Sequence, residues 1–238
     1  MPCSQAPCPQ RTVRYNASVV SVLRLFVLRH GETESSRTRR FTGARDVGLT
    51  TLGQRQAEAT AAALAPPLHA IYASPLERAR TSAEIIAKPH QLAVRLESRF
   101  AEMGFGTWEG LTREEAAALA PALYDAWRRA PRSVTPPGGE PLTTVAARVA
   151  EGIADLQARH ADETVALVTH AIVVRLIVLG ALGLDPDRLW SVDASPGGLT
   201  EIEYRPGWVT VHRMNTLSHL EGGWGSSDVG PPSSEVPA

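Results

Sequence analysis

Apolar residues fall along this chain in two kinds of run. Short blocks rich in strand formers stand at 23–28, where only Arg24 interrupts, at 69–74 and at 164–168. Blocks of this length, bounded by polar residues, suit strands buried on both faces. Between them the spacing is helical. Val145, Val149, Ile153 and Leu156 mark one face of a helix over about 141–160, and 171–182 is apolar nearly all round. The pattern predicts strands at about 23–29, 69–74 and 164–169, with a short one near 94–96. It predicts helices at about 51–64, 74–88, 112–119, 121–129, 141–160 and 171–182. Thr50 reads as one N-cap and Ser74 as another, with Pro75 in the first turn. A hairpin about Pro206-Gly207, with strands 199–204 and 208–213, closes the body. No internal repeat appears. Strand–helix alternation means α/β with a mainly parallel sheet.

The ends read differently. Residues 1–22 and 221–238 are Pro-, Gly- and Ser-containing segments without periodicity, expected to be disordered arms on one domain of 23–220. Both cysteines, Cys3 and Cys8, lie in the first arm with no histidine near enough to complete a zinc site. A body without cysteine fits a reducing, cytoplasmic setting, where the sequon at Asn16 has no meaning. No apolar run approaches the ~20 residues of a membrane span. The formal net charge of −1 gives no reason to expect a nucleic-acid or anionic-membrane surface.

The chemistry gathers at strand ends. The first strand stops at Arg29-His30-Gly31, and the strand at 164–169 stops at His170. Alone, Arg-His-Gly is a strand end with two polar residues. The strand ending at Ser74 leads into a helix carrying Arg78 and Arg80, and the irregular stretch 100–110 supplies Glu102. In open α/β sheets, ligands bind outside the carboxyl ends of the strands. If these strands are parallel neighbours, one sheet edge collects two histidines, two or three arginines and a carboxyl group. That is equipment for phosphoryl transfer to a histidine nucleophile. Arginines pair bidentately with phosphoryl oxygens and hold the imidazole neutral. A second histidine stabilises oxygen charge, and a carboxylic acid protonates the leaving alkoxide.

The chain resembles the histidine phosphatase superfamily, the phosphoglycerate-mutase-like enzymes, over about 23–220. Arg29-His30-Gly31-Glu32-Thr33 matches the family's R-H-G-E-T. Arg40-Phe41-Thr42-Gly43 with Asp46, Leu49-Thr50, Gly53 and Gln56-Ala57 matches its next motif. Ser74-Pro75-Leu76-Glu77-Arg78-Ala79 matches S-x-L-x-R-A, followed by Ser82. Glu102 with Phe105-Gly106 and Trp108-Glu109-Gly110 matches E-x-x-F-G-x-W-E-G. Pro137-Gly138-Gly139-Glu140 with Arg148-Val149, and Val168-Thr169-His170, complete the set. The resemblance implies a three-layer αβα sandwich with a short helical lid. It implies His30 as nucleophile and Glu102 as proton donor, with Arg29, Arg78 and His170 completing the phosphate pocket. It places Thr42 and Gly43 on the substrate, with Arg80 solvated. Ser36 stands where the family often has asparagine, and is expected to supply one shorter substrate contact. Ala171 replaces a common glycine. The ending Asn215-Thr216-Leu217-Ser218-His219-Leu220 also resembles the family's, without a role to assign.

Two enzymes share this equipment, and an inactive phosphate-binding scaffold is disfavoured because every catalytic position is filled. A phosphomonoesterase acting on a small phosphorylated substrate needs no cofactor and no metal. A mutase would use 2,3-bisphosphoglycerate. Only 68 positions separate Glu102 from His170, and this short lid interval resembles the phosphatases. Trp127-Arg128-Arg129 and Thr135-Pro136-Pro137 resemble the mutases, with Arg128 and Arg129 as candidate anion contacts. The phosphatase is the first reading, with homo-oligomerisation left open. His69, His90, His160 and His212 read as structural or surface residues. Trp108, Trp127, Trp190 and Trp208 read as packing residues, with Phe105 and Trp108 near enough to Glu102 to line the cleft.

Overall fold

The computed structural model describes residues 21–64 and 67–220. Among them, six strands form one sheet: β1 (Leu23–Arg29), β2 (Ala70–Ala73), β3 (Val94–Leu96), β4 (Thr164–Thr169), β5 (Leu199–Arg205) and β6 (Trp208–Thr216). Their order is β3-β2-β4-β1-β5-β6. The pairs β3–β2, β2–β4 and β4–β1 are parallel, and β5 and β6 add antiparallel neighbours. The register sets Arg29 opposite Thr169 and Ala73 opposite Val168. The chains leaving β1, β2 and β4 therefore emerge side by side.

Successive side chains of β1 point to opposite faces, and each face meets its own helices. Leu25 and Val27 join Val145 and Val149 of α6 (Leu142–Arg159) and Val173 and Ile177 of α7 (Ala171–Ala181). Phe26 and Leu28 join Ala57 of α2 (Thr51–Ala63) and Ala79, Ala83 and Ile86 of α3 (Glu77–Ala87). The result is a three-layer α/β sandwich, as read from the sequence. Two short helices, α4 (Arg113–Leu119) and α5 (Pro121–Arg129), lie over the α6/α7 side and add Ala116, Tyr124 and Trp127 to its core. The tiny helix α1 (Glu34–Arg37) precedes α2 inside the polar loop and is held by a capping box between Thr33 and Ser36.

Several expectations shift. Ser74 does not cap α3. That helix starts at Glu77, with Leu76 at its cap position and no side-chain cap bond; the serine hydroxyl instead sits 2.7 Å from His170 Nε2 and accepts the Leu76 N–H just before the helix. A 3-10 segment over Pro186–Ser191 went unforeseen. Trp208 does not pack in the core. It is 70% exposed on the edge strand β6. The arms at 1–20 and 221–238, with Cys3, Cys8 and Asn16, lie outside the described residues. Val22, expected in the first arm, donates its N–H to Asp162.

One contact ties fold to site. A Cβ on Gly31 would lie 2.2 Å from the Gly53 carbonyl oxygen, and one on Gly53 2.2 Å from that of Glu32. The first turn of α2 thus rests directly on the backbone leaving β1. Gly53→Ala should overpack this junction at a cost of about 1–3 kcal/mol. Thermal unfolding should show a fall in Tm of several degrees, roughly 2–4 °C per kcal/mol at this size. An unchanged Tm would show that the two segments separate freely.

Candidate active site

The parallel pairing of β1 with β4 brings His30 and His170 together. The His30 N–H donates to the Thr169 carbonyl at 2.9 Å, and the two rings stand edge-on with centroids 5.1 Å apart. Both histidines are buried. His30 Nδ1 lies 2.7 Å from the Gly31 carbonyl oxygen. A carbonyl only accepts, so Nδ1 carries the proton and Nε2 keeps its lone pair. Burial holds the imidazole pKa well below its ordinary value, and the charges of Arg78 and then Arg29 push the same way. The ring is a neutral base of fixed tautomer. Ser82 supports it at one remove, accepting the Gly31 N–H at 3.1 Å while donating to the Arg78 carbonyl.

The two arginines are anchored by carbonyls. Arg29 Nη1 donates to Ala194 O at 2.6 Å. Arg78 donates to Arg45 O and Gly43 O, both at 2.8 Å, and its Nε is buried without a protein partner. Burial pushes the Arg78 guanidinium down to about 10, against the pull of Glu102, so it stays charged at neutral pH. Gly43 holds φ +56°, where a Cβ would strike the Glu109 carboxylate. Glycine therefore lets this loop present its carbonyl to Arg78. His170 Nε2 sits 2.7 Å from Ser74 Oγ, and its Nδ1 is buried with no protein partner. Burial, and then the charge of Arg78, lowers its pKa well below the usual value.

Glu102 takes Met103 N–H on one oxygen and reaches Ile172 N–H at 3.5 Å with the other. Desolvation raises its pKa despite these donors and the nearby arginines. Its loop is clamped by a residue to which sequence reading gave no role. Arg148 of α6 pairs with Glu140 at 2.9 Å and donates to the carbonyls of Arg99, Ala101 and Glu102. The available signal was the Arg148-Val149 match beside Pro137-Gly138-Gly139-Glu140, which names the residue without its role.

Arg29, His30, Thr42, Gly43, Arg78 and Glu102 line one cleft, enclosing about 810 Å³ including its open mouth. Its far wall is aromatic and cationic, with Phe105, Tyr124, Trp127, Trp190, Arg128 and Arg175. Trp127 and Trp190 thus line the cleft as well as packing, while Trp108 is fully buried behind it. Ser36 is not brought to the cleft. Its hydroxyl accepts Thr33 N–H and donates to Thr33 O, so the expected substrate contact is replaced by a helix cap. Arg129 also turns away and pairs with Asp125 in solvent, leaving Arg128 alone of the two at the cleft. Arg80 is exposed, as expected. His160, read as structural, is buried between Tyr72 and Glu163.

Two histidines and an arginine at the ends of adjacent parallel strands, joined by an arginine of α3 and the carboxyl group of a neighbouring loop, define a phosphoryl-handling protein. The chain matches the model of the histidine phosphatase superfamily (branch 1) over residues 25–217 and belongs to that family. Phosphoserine phosphatase 1 of Hydrogenobacter thermophilus is 30% identical over 84% of this chain and 95% of its own. A bifunctional protein of Mycobacterium tuberculosis is 35% identical over 83% of this chain, which spans about half (55%) of that relative's length. Among solved structures, YhfR of Bacillus stearothermophilus superposes with a TM-score of 0.78 at 32% identity, covering 84% of this chain and all of that one. No helix among the described residues is long and apolar enough to cross a membrane.

Proposed function

We propose that this protein is a phosphomonoesterase working through a phosphohistidine on His30. The observation that carries the reading is the neutral, buried His30 ring, with Nδ1–H committed to the Gly31 carbonyl and Nε2 free. In the first step Nε2 attacks phosphorus and the ester P–O bond breaks. Glu102 gives its proton to the departing alkoxide. Arg29 and Arg78 take the phosphoryl oxygens, their remaining donors directed by the carbonyls they already hold. Ser74 can donate to His170 Nε2, which leaves Nδ1–H of His170 to meet oxygen charge. In the second step water attacks phosphorus and gives a proton to the Glu102 carboxylate, the N–P bond breaks, and inorganic phosphate leaves as neutral His30 and protonated Glu102 are regenerated. Thr42 and Gly43 bound the substrate. No metal takes part, and the cytoplasm is the proposed setting.

The relative named phosphoserine phosphatase supports a small ester bearing a second anionic group, and Arg128 at the far wall is placed to meet one. Arg128→Ala should raise KM for acidic esters and leave nitrophenyl phosphate hydrolysis nearly intact, because a contact equal in ground and transition states shifts KM alone. The deciding experiment is a phosphate-release screen over small esters beside a mutase assay with 2,3-bisphosphoglycerate. Phosphate release well above any interconversion of 3- and 2-phosphoglycerate is expected. Bisphosphoglycerate-dependent isomerisation far above release would replace this reading with the mutase.

A further inference from the structure

The chain's closing segment has a place in the site that its motif did not reveal. The segment 193–198, which leads into β5, holds the end of β1 on three sides. Ala194 O accepts Arg29 Nη1, Gly197 N–H donates to the carbonyls of Arg29 and His30, and Gly198 O accepts Arg29 N–H. Within the segment, Gly198 N–H donates to Ser195 O, and Asp193 accepts from Ala194 N–H and Ser195 Oγ, bonds that fold it on itself without tying it to a neighbouring strand. Asn215 of β6 supplies such a tie. Its Oδ1 accepts Ser195 N–H at 2.8 Å, and its Nδ2 donates to Asp193 Oδ2 at 3.0 Å and Ser195 Oγ at 3.2 Å.

The fit is close. A Cβ on Gly198 would lie 2.2 Å from Asn215 Oδ1. Asn215 itself adopts φ +46°, a conformation a short polar side chain tolerates better than most. Its backbone is pinned by Thr200 Oγ1, which accepts its N–H. This strained residue spends every amide atom on the two residues flanking Ala194. We infer that Asn215 is a positioning residue for Arg29, fixing the Ala194 carbonyl that aims the guanidinium at the phosphoryl group. The inference rests on the reading of Arg29 as a phosphoryl ligand.

A double-mutant cycle in the full chain tests it, with Arg29→Ala and Asn215→Gly read as kcat/KM for nitrophenyl phosphate and as the inhibition constant of inorganic phosphate. Glycine accepts φ +46°, so the second variant removes the side chain's bonds without adding backbone strain. Arg29→Ala alone should lose about 100-fold in kcat/KM, as for a charged hydrogen bond to phosphate. Asn215→Gly alone should lose about 10-fold and weaken phosphate inhibition in parallel. With Arg29 already gone, it should cost less than about twofold, since coupled residues are not additive. Equal cost in both backgrounds would mean a merely structural asparagine and overturn the inference alone. Unchanged activity in Arg29→Ala would overturn the phosphoryl-ligand reading, and the inference with it. Should Asn215→Gly fail to fold, Ser195→Ala replaces it in the cycle under the same two criteria.

Discussion

His30→Ala should abolish turnover, with a loss on the order of 10⁴–10⁶-fold, the scale seen when a covalent nucleophile is removed. The loss should be this large because nothing nearby can substitute. His170 lies beside His30, but its Nε2 is engaged with Ser74, and the nitrogen left over, Nδ1, carries the proton and has no lone pair to attack with. Wild-type protein quenched during turnover of a labelled ester should carry the label on His30, stable to alkali and labile to acid, as an N–P bond requires. Chelators should not diminish the activity. Label on another residue, or near-full activity in His30→Ala, would remove the covalent mechanism.

Much of this was legible because the fold places strand ends, and strand ends are readable. Each of the buried strands β1, β2 and β4 shows as an apolar run closing on a polar residue. Once parallel pairing is inferred, Arg29, His30, Ser74 and His170 fall at one edge with no further information. The alternation of Leu25 and Val27 against Phe26 and Leu28 between two helix layers follows from the same run. What stayed hidden depended on where single polar atoms point. Ser74 reads as a helix cap because Ser-Pro is a good helix start, yet its hydroxyl bonds a histidine 96 residues away and reaches only the Leu76 N–H ahead of the helix. Ser36 reads as a substrate contact, yet the four-residue capping box Thr33–Ser36 absorbs its hydroxyl. Arg128 and Arg129 are adjacent, and only the phase of α5 decides that one faces the cleft and the other solvent. Arg148 bonds to the carbonyls of a distant loop, and Asn215 to the Ser195 N–H and the side chains of Asp193 and Ser195; such contacts leave no local periodicity to read.

Glu102→Gln should separate substrates by their leaving groups. Nitrophenolate departs without a proton, whereas an alkoxide needs one, so the variant should slow alkyl phosphates by about 10²–10⁴-fold and nitrophenyl phosphate far less. The pH dependence carries the same signature. Desolvation raises the Glu102 pKa, so the carboxyl remains protonated to higher pH than an ordinary one. Burial and the neighbouring arginines lower that of His30, so the imidazole stays neutral to lower pH than usual. The productive form, with Glu102 protonated and His30 neutral, therefore occupies a window bounded below by the titration of His30 and above by that of Glu102. The two groups share a cleft and titrate as a set, so the limbs report macroscopic values. For alkyl phosphates, wild-type kcat/KM should fall as pH rises through the upper limb, and Glu102→Gln should flatten that limb while leaving the lower one in place. Equal slowing of both ester classes, or an upper limb that survives the substitution, would show that the proton reaches the leaving group from elsewhere.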